Sequence, residues 1–169
     1  MRVCPDGSFE VSGVSFMNPV VCSAILCEYN NLKNKSEGAF HTDLWAVMFD
    51  FDNLLEKALR NYPILQKIVE CKNLGYQNLE IQKAIEEEFQ ITHSIEHISS
   101  LWRKKIPNLL ASQAEDDYLD WYYLEVEKGQ YKKCGRCGQI KLAHSKYYSK
   151  NSAGKDGWYS ICKECRNKK

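Results

Sequence analysis

Apolar residues recur at intervals of three and four over much of the chain, the repeat of helices with one buried face. The clearest stripe is Leu44, Val47, Met48, Phe51, Leu54, Leu55 and Leu59, with Thr42 or Asp43 as its cap and Pro63 as its end. Residues 64–74 continue the pattern through Leu65, Ile68 and Val69 until Gly75 stops it. Asn78 is placed to cap a helix in which Ile81, Ala84, Ile85 and Phe89 face inward. A short turn over 91–94 leads to a helix with Ile95, Ile98, Leu101, Trp102 and Ile106 on its apolar side, limited by Pro107. A last helix over 111–128 turns Leu119, Tyr122, Tyr123 and Val126 inward and an acidic face outward, and Gly129 closes it.

The first 40 positions are less regular. Cys4-Pro5-Asp6-Gly7 reads as a turn, and Phe9, Val11, Val14 and Phe16 predict a short hairpin across Ser12-Gly13. Asn18-Pro19 has the form of a helix start, with Val20, Val21, Ile25 and Leu26 as the buried face. Residues 30–38 are polar and read as a linker. The chain therefore divides into a segment of unassigned role (1–40), a helical domain (41–110), an acidic connecting helix (111–129) and a cysteine-rich tail (130–169).

The net charge of +1 conceals a strong asymmetry. Residues 1–127 carry 11 Lys and Arg against 20 Asp and Glu, whereas 128–169 carry 12 against 2. A basic tail on an acidic body points to an anionic partner, most simply nucleic acid. The alternative is a tail that neutralises its own body. No apolar run approaches the ~20 residues of a membrane helix, and no basic-then-apolar leader opens the chain, so a cytoplasmic setting with reduced thiols is expected.

Four of the eight cysteines have metal-site spacing: Cys134 and Cys137, then 24 residues, then Cys162 and Cys165. Two residues between thiolates let both sulfurs meet one ion, and four thiolates leave no open position for water, so the predicted ion is a structural zinc. Gly135 and Gly138 ease the first turn. Leu142, Tyr147 and Tyr148 are expected beneath the metal, and Asp156-Gly157 as a turn into a short strand, 158–160. A terminal helix from Cys162 completes a treble-clef arrangement, so the fold class expected is mainly α, a helix-turn-helix body followed by a small treble-clef Cys4 zinc module. Cys4, Cys22, Cys27 and Cys71 are irregularly spaced and read as packing residues.

Residues 134–169 resemble a zinc segment of phage and mobile-element proteins related to the endonuclease VII group. The shared features are the Cys pairs, Lys141-Leu142, the aromatic pair Tyr147-Tyr148, Lys155-Asp156-Gly157 and Arg166. Active nucleases of that type carry an Asp-His pair before the second cysteine pair. Here His144 and Asp156 are twelve residues apart, so the resemblance implies a nuclease relative without nuclease chemistry. What remains is a basic surface, with Lys132, Lys133, Arg136, Lys163 and Arg166 as candidate phosphate contacts.

Residues 64–107 resemble the helix-turn-helix of sigma-factor region 4 and related regulators, through Gly75, Asn78, Glu80-Ile81, Ala84, Phe89 and Ile91. Steeply crossing helices need a small residue such as Ala84 at their contact, and they offer one face to a major groove. The resemblance implies double-stranded DNA as partner. Ser94, His97, Ser100, Arg103, Lys104 and Lys105 are the candidate contacts on the recognition helix. A plain three-helix bundle is the alternative, favoured by the acidic run Glu86-Glu87-Glu88. The reading is a non-enzymatic zinc-containing regulator of transcription in a bacterial or phage-infected cell. Its rivals are an adaptor that binds RNA polymerase or a packaging protein through the acidic helix and, less favoured, a nuclease of the endonuclease VII type.

Overall fold

The computed structural model describes residues 2–3, 9–10, 14–37 and 42–168. The protein is mainly helical with a two-stranded sheet toward each end, and it divides into two compact units, Met1–Asp116 and Asp117–Lys169. Among the described residues no helix is long and apolar enough to cross a membrane.

In the first unit, β1 (Arg2–Val3) pairs antiparallel with β2 (Phe9–Glu10) in the register Arg2↔Glu10 and Val3↔Phe9. The expected turn at 4–7 and the Ser12-Gly13 hairpin connection lie outside the described residues, as does Cys4. Helix α1 (Pro19–Cys27) starts as its sequence specifies: the Asn18 side chain accepts from the Val20 N–H at 2.9 Å, and Pro19 takes the first helical position. Its buried residues are Cys22, Ile25 and Leu26, while Val20 points to solvent, contrary to the sequence expectation. The Cys22 thiol donates to the Phe16 carbonyl at 3.1 Å, and burial pushes its pKa up to about 11, so it packs as a small apolar group.

Where a linker is expected, the chain forms α2 (Tyr29–Glu37). The cause lies some twenty residues downstream, on α3 (Asp43–Leu59), which Thr42 caps. The Tyr29 hydroxyl donates to one Asp52 oxygen at 2.7 Å, and the Lys33 ammonium pairs with the other. The buried Ser36 hydroxyl donates to the Lys33 carbonyl. Desolvation, and then Asp52, raise the Tyr29 pKa, so the phenol keeps its proton and its hydrogen bond. Tertiary anchoring thus holds a polar segment helical against its weak local preference.

The stripe on α3 buries Val47, Met48, Phe51, Leu54 and Leu59. Helix α4 (Pro63–Asn73) adds Leu65, Ile68, Val69 and Cys71, and α5 (Asn78–Phe89) adds Ile81 and Ile85. Gly75, at φ +85°, ends α4: its N–H donates to the Lys72 carbonyl while Tyr76 N–H reaches back to Cys71. Asn78 is the first residue of α5 rather than its cap; Gln77 holds the cap position, and its N–H donates to Glu80 at 2.7 Å.

Gln90 closes α5 in the left-handed region, and Ser94 caps α6 (Ile95–Ser100) by accepting from the His97 N–H at 3.1 Å. Pro107 does not end the helical run. A π-turn, Leu101–Lys105, precedes it, and α7 (Ile106–Glu125) continues through it. Proline lacks an N–H and its ring crowds the carbonyl four residues back; a widened turn relieves both constraints. Ile106 N–H accordingly donates five residues back, to Leu101, and the Asn108 side chain donates to the Lys104 carbonyl at 2.8 Å. Ile106, Leu110, Ala111 and Ala114 are buried on α7, whereas Leu119 and Val126, expected inside, are exposed.

If Asp52 organises α2, Asp52→Ala should lower the stability of that helix by about 1–3 kcal/mol, the cost of stranding a hydrogen-bonding partner. Amide exchange over residues 29–37 should accelerate more than over α4 and α5. Uniform acceleration would refute the anchoring account.

Candidate metal centre

The second unit is built on a two-stranded hairpin. β3 (Tyr131–Lys133) and β4 (Ile140–Leu142) pair in the register Tyr131↔Leu142, Lys132↔Lys141 and Lys133↔Ile140. The first cysteine pair sits in the turn between them. Cys134 N–H donates to the Gln139 carbonyl and Gly138 N–H to the Cys134 carbonyl, both at 2.9 Å. Gly138 adopts φ +70°, which lets the turn close without a Cβ penalty. Cys162 caps the short helix α8 (Lys163–Asn167), and Cys165 lies on its first turn.

The four sulfurs lie within 4.8 Å of one another, so this group can hold a metal ion. Tetrahedral zinc–thiolate bonds of about 2.3 Å require sulfurs roughly 3.8 Å apart, which the cluster accommodates. Backbone contacts fix the knuckle against the helix. Gly135 N–H donates to the Ser160 carbonyl at 2.8 Å, and the Arg136 guanidinium donates to the Cys165 and Lys168 carbonyls at 2.5 and 3.2 Å. The Cys134 sulfur accepts from Cys162 N–H at 3.3 Å and Arg136 N–H at 3.4 Å. Backbone donors, Cys137 first and then Cys162, draw the Cys134 thiol down to about 6. Desolvation, followed by the neighbouring thiols, pushes Cys165 up to about 12. The backbone donors thus favour negative charge within the cluster, and crowding of the thiols opposes it.

Beneath the sulfurs lies Tyr148, wholly buried, its hydroxyl donating to the Lys132 carbonyl at 2.9 Å. Tyr147, Trp158 and Ile161 pack around it; Leu142 is buried outside this cluster. The expected strand at 158–160 reduces to a single bridge, Lys150↔Trp158, after a turn in which Asp156 accepts from Trp158 N–H and Gly157 adopts φ +76°. Residues 117–125 of α7 belong to this unit as well. Tyr123 donates to the Ala143 carbonyl at 2.7 Å, and Tyr147 donates to Asp120 at 3.1 Å. Gly129 is needed beside them, since a Cβ there would lie 2.0 Å from the Tyr123 ring.

The candidate phosphate contacts of the tail have unequal surroundings. Lys132 pairs with Asp156 at 2.6 Å and is only 16% exposed; Lys141 pairs with Glu164 at 2.8 Å. These two lysines hold both carboxyls below their usual range. Arg136 is committed to backbone carbonyls, Lys163 donates to the Ser145 carbonyl, and Arg166 stacks 4.1 Å above the Tyr159 ring. Lys133, Lys150 and Lys155 are exposed and form no ion pair among the described residues. The sequence signal for the two internal pairs is simple in retrospect: Asp156 and Glu164 are the sole acids in 128–169.

The candidate contacts in the first unit fall on one helical run but not on one face. Ser94 is occupied as a helix cap, and Ser100 is exposed at the end of α6. Arg103 and Lys104 border a groove against α1, while His97 and Lys105 border another against the start of α4. No protein-family model matches the chain, and no curated protein or solved structure is significantly similar to it.

Reduced protein titrated with cobalt(II) should develop the absorption of a tetrahedral tetrathiolate centre, which one equivalent of zinc abolishes. Cys137→Ser should weaken the band and shift it. Because binding displaces protons from thiols, affinity should fall as pH falls. A spectrum unchanged by Cys137→Ser would remove that residue from the centre.

Proposed function

We propose that this chain is a zinc-containing protein that binds double-stranded DNA, reading bases through a helix-turn-helix and gripping phosphates with a basic treble-clef module. Charge in the tail carries the reading. Residues 128–169 hold twelve cations and two acids, and both acids are engaged by Lys132 and Lys141 within the module. Of the ten others, Lys128 and Lys146 lie within 4.0 Å of Glu125 and Asp120 on α7, and the surplus beyond them suits a polyanion. Lys132 serves the module's own structure, and Lys133, Lys150 and Lys155 are the cations best placed for phosphate.

Support for the helix-turn-helix comes from α5 and α6. A left-handed residue and a four-residue turn join them, and Ile81, Ile85 and Ile98 are fully buried. For the treble clef, support comes from a cysteine pair in a β-turn and a second pair at the start of a helix. Four thiolates without a water position fit zinc in a structural role. His144 accepts from Lys146 N–H and packs on Tyr123, and Asp156 is tied to Lys132. Both engagements favour a non-catalytic module. The proposed setting is the cytoplasm of a bacterial or phage-infected cell, with a role in transcription.

A second reading, an adaptor for RNA polymerase or a packaging protein, is favoured by the solvent-facing Leu119 and Val126 near the acidic end of α7. Selection of bound duplexes from a randomised pool, with zinc-loaded protein, separates the two. Enrichment of a short motif is expected. Arg103→Ala should cost about 1–3 kcal/mol of discrimination at one position. Replacing Lys133, Lys150 and Lys155 together should weaken all sequences evenly and flatten the logarithmic salt slope by roughly 2.7. Failure to recover any duplex would reject the DNA reading.

A further inference from the structure

Between the start of α4 and the run from α6 into the π-turn lies a groove of about 310 Å³. Pro63 and Leu101 contribute apolar surface, and Tyr62, 42% exposed, presents its ring beside them. The polar lining, which also includes the Asn61 amide, is rich in N–H donors. His93, His97 and Lys105 border the groove, the two imidazole rings lie 4.8 Å apart, and no carboxylate lines it among the described residues. The Gln82 amide donates to the His93 carbonyl at 2.5 Å, fixing the segment that carries the first imidazole.

This concentration of donors stands out in a unit with more acids than cations. Lys33 pairs with Asp52 and Lys67 with Glu88, yet Lys105 forms no ion pair among the described residues. An uncompensated ammonium next to two imidazoles attracts an anion, while an open apolar floor attracts a ring. The volume lies at the small end of ligand sites, which run from roughly 300 to 1,000 Å³. A folded partner would need a far larger surface.

We infer that this groove binds a small aromatic anion, with its ring on Pro63 and Leu101 beside Tyr62 and its phosphate or carboxylate on Lys105, His93 and His97. His97 and Lys105 are also among the DNA contacts proposed above, but the ligand site does not depend on that reading, and its test contains no DNA.

The experiment titrates the metal-loaded full chain with phenyl phosphate, benzoate, inorganic phosphate and phenol, followed by calorimetry and amide chemical shifts. One of the two aromatic anions should bind about tenfold more tightly than phosphate or phenol, since each control lacks one half of the recognition. The shifts should centre on Tyr62, His93, His97, Leu101 and Lys105. The tighter of phenyl phosphate and benzoate identifies the anionic group the site prefers. Lys105→Gln, an exposed substitution that leaves the core untouched, should weaken that ligand by about tenfold and leave phenol unchanged. Equal binding of inorganic phosphate, shifts centred elsewhere, an unaffected Lys105→Gln variant or no binding at all would overturn the assignment.

Discussion

Four cysteine sulfurs within 4.8 Å repel one another once ionised, and the second unit is organised around that problem. Its apolar interior is slight, with Tyr148 and two cysteines as the buried cluster. Packing of that size supplies little stability, and a cation at the sulfurs would add to it. The surroundings already favour negative charge there: backbone N–H groups point at Cys134, and Lys141 lies close enough to Cys162 and Cys137 for them to raise its pKa, after Glu164. A zinc tetrathiolate carries two negative charges in total. Part of the tail's basic excess would answer that charge if zinc is bound.

The first unit shows where pattern reading succeeds. On α3 the apolar residues repeat at helical spacing, a threonine caps the start, and every cue agrees with the packing. It misses α2 because the stabilising contact is remote. Nothing in residues 30–38 announces that an aspartate on another helix will receive both Tyr29 and Lys33. Pro107 misleads for a different reason. Its usual effect presumes an α-helical turn before it, and the chain supplies a wider one.

The gathering of the four cysteines was legible because their spacing encodes ligand geometry directly. The fate of the cations was not. Lys132 and Lys133 are adjacent and alike in sequence, but alternation along β3 turns one toward Asp156 and the other to solvent. Arg136 is an exposed charge that also laces the knuckle to the end of α8. The groove at His93, His97 and Lys105 also escaped the sequence, because the wall facing them, Tyr62 to Leu65, comes from the start of α4, about thirty residues away.

The uneven exposure of the four sulfur-bearing residues gives the centre a direction. Cys134 and Cys162 are buried, Cys165 is half-buried, and Cys137 faces solvent. A dissolved oxidant, chelator or competing thiol therefore meets the centre first at Cys137. Chemical attack on the four-sulfur group and exchange of any ion it holds would share that one corner of entry.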